Sequence, residues 1–264
     1  WYQIHVHNNG DAGLDVLLDN LEVAMKRQPR PDHRTVIVHF GFATPEQVDR
    51  AAQLGAIVSA NPYYVTALAG KYADLGIGQQ RSRNMVPLAS VMKNKISLSF
   101  HSDMPMAPAK PLQLVWAGIN RITAEGFVAG PEHRVSLDAA LRAITIDAAF
   151  SIQQEKEIGS IEVGKKANLT ILEKSPFEVD PLSIKEIAVW GTMLEGRLQP
   201  VTHSTTEVSL NQSASGRDLL WTGGAEHLDA VRTNQPKSHG AVPPSGLGAR
   251  SNEWFRNSSC GVGC

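Results

Sequence analysis

Four short apolar runs with the composition of β-strands recur through the first hundred residues: "YQIHV" (2–6), "TVIVHF" (35–40), "AIVSA" (56–60) and "KISLSF" (95–100). Helical patterns separate them. Leu14, Leu17, Leu18, Leu21 and Met25 fall on one face of a helix after the first run. Thr44, Pro45 and Gln47 give the N-cap, first-turn proline and capping-box signature of a second helix, which Gly55 ends. A helical stretch near 63–74 leads into the loop "GIGQQRSRN" (76–84). "LQLVWAGINRI" (112–122) follows the fourth run, and a last helix starts at Ser136 with Leu137, Ala140, Leu141, Ile144 and Ala148 on one face. Strand–helix alternation of this kind implies a parallel sheet, because parallel neighbours need a long crossover.

A doubly wound sheet and a (β/α)8 barrel both satisfy that pattern. The polar residues favour the barrel. His7, His39 and the "HSD" of 101–103 stand at the C-terminal ends of three separate strands, where a barrel collects its chemistry. A doubly wound nucleotide site would also want a glycine-rich phosphate turn after the first strand, and "NNGD" is not one. The alternating region, residues 1–157, covers little more than half of the roughly 250 residues a full barrel takes.

The texture changes at 158. "IGSIEVGKKANLTILEK" (158–174) reads as two extended runs around Gly164-Lys165, and "KEIAVWGTMLEGRLQPV" (185–201) as a hairpin through Glu195-Gly196. Residues 158–200 are therefore expected to form a small β module. Residues 201–264, rich in Ser, Gly, Asn and Pro, read as an irregular tail.

Composition narrows the function. With 25 Lys and Arg against 26 Asp and Glu, the chain carries no field that would draw it to nucleic acid or a lipid surface. No run approaches the roughly 20 apolar residues of a membrane-spanning helix. The two cysteines, Cys260 and Cys264, cannot build a disulfide framework. Compartment is not legible, and the composition is compatible with a homo-oligomer.

The chemistry-bearing residues are few. Alternation places His5 and His7 on one face of the first strand. Imidazole is a common metal ligand, but a solvated or carbonyl-bonded histidine is the blander reading of each one alone. Asp103 follows a strongly apolar strand, where a carboxylate needs a compensating partner. The joint reading is that His7, His39 and Asp103 meet around one cation. His101 alternates onto the same face as Asp103. Tyr63 and Tyr64 follow "ANP", where a pocket wall or simple packing would use them. Arg81 and Arg83 could bind a substrate carboxylate or merely face solvent.

These segments resemble the metal-dependent amidohydrolase superfamily, in particular its amidohydrolase 3 group of N-substituted formamide deformylase-like and exoenzyme-regulatory proteins. "HVHNNGD" is similar to that group's turn after barrel strand five. "VIVHFGFATPEQVDRAAQLGAIVSANP" resembles the strand-six segment and "SFHSDMPMAPAKPL" the strand-eight segment. "SLDAALRAITIDAAFSI", "GSIEVGKKANLTIL" and "WGTMLEGR" resemble the passage out of the barrel into a β-sandwich. The resemblance implies an α/β fold, the C-terminal half of a (β/α)8 barrel plus part of a small β-sandwich. It implies a hydrolase of C–N bonds other than peptide bonds, acting on a small amide, formamide or cyclic amide. His7, His39 and Asp103 would bind one or two divalent ions, zinc being the expected metal, and Asp103 would carry the proton. His5, His101, Tyr63 and Arg81 would support the site or touch substrate. The family's strand-one His-x-His pair and bridging ligand have no counterpart here. The chain is accordingly expected to be a part of a larger enzyme, inactive alone and lacking the N-terminal half of the barrel. The competing expectation is a dismantled site on the same fold, serving binding or regulation. The coding sequence upstream of Trp1 is expected to contain a strand ending in His-x-His.

Overall fold

The structure is a computed structural model that describes residues 2–201. The expected irregular tail thus lies, but for Val201, outside the described residues. Four strands, β1 (His5–Asn8), β2 (Val36–His39), β3 (Ile57–Ala60) and β4 (Leu98–Phe100), form one parallel sheet in the order β1-β2-β3-β4. Helices α1 (Asp11–Arg27) and α2 (Pro45–Gln53) make the first two crossovers. Between β3 and β4 lie α3 (Tyr63–Leu75), α4 (Gln79–Arg83) and α5 (Leu88–Lys93). The loop expected at 76–84 therefore contains a short helix, and α5 went unread because it is only six residues long.

The strand order never reverses. A doubly wound sheet reverses once, at its ligand crevice, so this topology departs from that rival. Right-handed crossovers all stepping the same way put their helices on one face of the sheet. That face carries the core: Ile37, Val58, Leu98 and Phe100 pack with Leu14 and Leu18 of α1, Val48 and Ala51 of α2, and Val65 and Ala69 of α3. The opposite face is more polar. Register aligns His7, Val38, Ser59 and Ser99 in one row across the four strands.

Local signals act as their chemistry dictates. Thr44 Oγ1 accepts from the Gln47 backbone N–H, and Gln47 Oε1 accepts from the Thr44 N–H, closing the box. Ser136 caps α7 (Leu137–Ala143), but the single helix expected through Ala148 breaks at Thr145 and resumes as α8 (Ile146–Ser151). The break admits Gly159, whose position would put a Cβ 2.9 Å from Ile146 Cα and 3.0 Å from Thr145 O. Tertiary approach, not propensity, ends α7.

Helix α6 (Pro111–Asn120) follows β4 and ends at Arg121 in a left-handed conformation (φ 55°). This arginine is wholly buried, and its guanidinium hydrogen-bonds to backbone carbonyls rather than to a carboxylate. Its Nε donates to Ala129 O (2.8 Å), Nη1 to Val86 O (3.0 Å), and Nη2 to Met85 O (2.7 Å) and Arg83 O (3.2 Å). Carbonyl dipoles replace the water that a buried charge loses. Burial draws its pKa down to about 10, so it keeps its charge at neutral pH.

After α8, β5 (Leu169–Leu172), β6 (Val189–Leu194) and β7 (Arg197–Pro200) form a three-stranded antiparallel sheet. Glu195 (φ 49°) and Gly196 (φ 82°) make the tight turn between β6 and β7, as the sequence suggests. The first extended run expected in 158–174 does not form a strand: Ile161 and Val163 are exposed and only Leu169–Leu172 pairs.

Replacing Arg121 by alanine removes the guanidinium from four carbonyls and leaves the buried oxygens of Met85 and Ala129 without it. We expect a loss of about 3–5 kcal/mol, read as a lower midpoint in urea unfolding. A change within experimental error would show that water replaces the guanidinium freely.

Candidate functional site

Parallel pairing brings the strand exits together, and backbone hydrogen bonds continue past the strands to hold them. Phe40 N donates to Asn8 O (3.1 Å), Phe42 N to Asn9 O (3.0 Å), Asn61 N to His39 O (3.1 Å) and His101 N to Ala60 O (3.0 Å). Gly41 permits the closest of these approaches, since a Cβ there would meet Asn9 O at 2.8 Å. His39 (φ 73°), Phe40 (φ 54°) and Asp103 (φ 52°) all adopt left-handed backbone. Such a conformation costs a non-glycine residue of order 1 kcal/mol or more. Its recurrence at two of the chemistry-bearing positions marks a geometry that the rest of the fold enforces.

Four aromatic or imidazole rings meet there. The His7 and His39 ring centroids are 4.4 Å apart, edge to face, and His101 stands 4.8 Å from His39 on another side. Tyr64 stacks on His39 at 5.8 Å. Around His39 Nδ1 stand His101 Nε2 at 2.9 Å, the Tyr64 hydroxyl at 3.3 Å and Asp103 Oδ2 at 3.7 Å. The Tyr64 hydroxyl donates a hydrogen bond to Asp103 Oδ2 (3.3 Å).

These partners assign the protons. A carboxylate and an oxygen whose hydrogen points elsewhere can only accept, so His39 carries its proton on Nδ1. His101 then accepts at Nε2 and donates from Nδ1 to Ser59 Oγ (3.1 Å). The Asn9 amide donates to His7 Nε2 (3.2 Å). His7 Nδ1 and His39 Nε2 are left without a hydrogen bond among the described residues.

Burial dominates the electrostatics. It lowers the His39 pKa below the usual imidazole value; Asp103 partly offsets this and His7 adds to it. Burial, then His39, press His101 down to about 4 against the pull of Asp103. Both rings are neutral at pH 7, so the His39–Asp103 contact is not an ion pair. Burial and the Asp103 charge raise Tyr64 to about 12, which keeps its hydroxyl a donor.

Two neutral imidazoles and a carboxylate suit a divalent cation in kind. They do not form a closed set in this arrangement: among the described residues no group of three or more His, Cys, Asp or Glu could hold a metal ion. The reason is visible in His39. The nitrogen that faces Asp103 is Nδ1, already engaged by His101 and Tyr64, so the three expected ligands gather against one another rather than about a shared point.

The remaining candidates fall variously. His5 is exposed on β1 and takes no part in the cluster. Tyr63 packs against the core, while Tyr64, one residue on, delivers its hydroxyl to the site. Arg81 is engaged by Asp11, its Nη2 lying 2.8 and 2.7 Å from the two carboxylate oxygens. Ser59 and Asn9 were not singled out from the sequence. The one polar side chain within "AIVSA" was the signal for Ser59.

The neutral His101 has a measurable consequence in metal-free protein. Its folded pKa of about 4 lies below the unfolded value of 6.5, so the unfolded chain takes up the proton first and stability falls as pH drops from about 6.5 to about 4. The contribution is on the order of 3 kcal/mol. His101→Gln should flatten that limb of a urea-unfolding pH series; an unchanged slope would mean the ring is protonated in the fold.

Comparison with known proteins bears on what this arrangement belongs to. The sequence profile of the amidohydrolase family matches residues 2–199. N-substituted formamide deformylase of Arthrobacter pascens is 31% identical over 195 residues, covering 74% of this chain and 36% of that protein. Putative amidohydrolase YtcJ of Bacillus subtilis (strain 168) is 24% identical over 200 residues, 74% of this chain and 37% of that one. An uncharacterized metal-dependent hydrolase from Pyrococcus horikoshii OT3 superposes with a TM-score of 0.55 at 25% identity, over 70% of this chain and 35% of that chain. The chain spans about a third of the length of the curated relatives it matches. With its parallel α/β sheet and a profile match across three quarters of its length, it belongs to the amidohydrolase family.

Proposed function

We propose that the chain is the C-terminal portion of a metal-dependent hydrolase of non-peptide C–N bonds, contributing half of a (β/α)8 barrel (1–157) and part of a β-sandwich (158–200). One observation carries the reading: His7, His39 and Asp103, far apart in sequence, stand together at the C-terminal ends of unreversed parallel strands. That is where barrels place their reacting groups. The named relatives supply the reaction class, an amide or formamide substrate.

His7, His39 (through Nε2) and Asp103 would be this chain's share of the metal set, completed by donors from the N-terminal half of the barrel. A divalent ion, zinc by the chemistry of these ligands, supplies Lewis acidity and a lowered pKa for water when bound. Asp103 takes the proton that the attacking water loses as its oxygen bonds to the carbonyl carbon. It passes that proton to the nitrogen as the C–N bond breaks. Tyr64 holds the Asp103 carboxylate, and Ser59 with His101 fixes the orientation of His39.

The incomplete donor set favours a second reading, a binding or regulatory protein without turnover. Metal analysis and amide hydrolysis in the whole protein that contains this chain separate the two. There, Asp103→Asn should lower kcat by about 10²- to 10⁴-fold with Tm unchanged, because asparagine accepts left-handed backbone readily. Full activity in that variant would remove Asp103 from the chemistry; absence of both metal and turnover in the parent would favour the binding role.

A further inference from the structure

Beside Asp103 lies a cavity of about 370 Å³, at the small end for a ligand site. Phe42, Leu68, Tyr72, Met85 and Met106 form its walls, and Asn9, Tyr64 and Asp103 supply its polar edge. We infer that this cavity receives an uncharged, apolar group of the bulk of one aromatic ring, carried by the substrate, and that it rejects carboxylate-bearing substrates. The inference rests on the hydrolase reading only for what that group is attached to.

The walls make the case for shape. The Phe42 and Tyr72 rings lie nearly parallel, 6.5 Å apart, although one follows β2 and the other ends α3. Met85 is buried, and thioethers adapt to a flat ring. The Met85 segment is also fixed in advance: its carbonyl accepts from Arg121, and Val86 N donates to Gly41 O (2.9 Å). A wall ordered before binding spares the ligand that cost.

Charge makes the case for neutrality. Among the described residues, Asp103 is the single carboxylate on the lining, and no Lys, Arg or His lines it. The nearest guanidinium placed by a ring contact, Arg81, sits over the Phe42 ring at 5.6 Å and is engaged by Asp11. A buried carboxylate here would lose its water and face Asp103 without a counter-charge. The carboxylate role expected for Arg81 from sequence therefore gives way to a role in fixing the rim.

Benzamide and benzoate share one ring and nearly one outline but differ in charge. Each would be titrated into the whole protein that contains this chain, labelled with [¹³C]methyl-methionine, and followed by NMR. The expected result is saturable movement of the Met85 and Met106 methyls with benzamide, with Met25, Met92 and Met193 unmoved. Benzoate should bind at least about tenfold more weakly. Equal or tighter binding of benzoate, or no movement with benzamide, overturns the inference. Binding needs no turnover, so the two failures are separable. Benzamide seated in the cavity of a protein that cleaves no C–N bond would sink the hydrolase reading and leave the cavity's selectivity standing. A parent that hydrolyses N-acyl amino acids as readily as neutral amides would do the reverse.

Discussion

Everything at the candidate site depends on parallel pairing that runs on beyond the strands themselves. Asn8 and Asn9 accept from Phe40 and Phe42, His39 accepts from Asn61, and Ala60 accepts from His101. Each of these bonds fixes the first residue or two of a loop, where chains ordinarily diverge. Side chains separated by 32 or 64 positions, His7 from His39 and His39 from Asp103, are thereby set to within a few ångströms of one another. The core on the helical face, filled by Leu14, Leu18, Ile37 and Val58, is what keeps the strands in that register.

The second theme is neutrality in a crowded polar cluster. Three imidazoles, a phenol and a carboxylate within contact would be costly if charged at random. Burial resolves this by holding His39 and His101 unprotonated and Tyr64 protonated. Hydrogen bonds from His101 to Ser59 and from Asn9 to His7 then settle which ring nitrogens face inward. Order in the cluster is an order of protons as much as of atoms.

How much of this could be read from the sequence follows from how local each cause is. The Thr44–Gln47 box, the Ser136 cap and the Glu195-Gly196 turn act within four residues, and all three were legible. The parallel sheet was legible because apolar runs of strand length alternate with helical periodicity. What escaped depends on distant neighbours. Thr145 breaks a helix because Gly159 arrives beside it. Tyr64 rather than Tyr63 reaches the site because α3 starts where Asn61 Oδ1 accepts from the Tyr63 N–H. Arg121 reads as a basic helix end, and nothing nearby in sequence announces four waiting carbonyls. The proximity of His7, His39 and Asp103 follows from strand ends; which nitrogen of His39 faces the carboxylate does not.

The two adjacent left-handed residues at the exit of β2 set a conflict for anyone who evolves this chain. Phe40 is anchored, because glycine there would relax the backbone but empty the core it fills. His39 is held by Tyr64 and His101 rather than by the apolar core, and glycine or asparagine would sit more comfortably in that conformation. A library screened for heat resistance alone should therefore drift at codon 39 and erase the imidazole, so thermal hardiness and chemistry must be selected together.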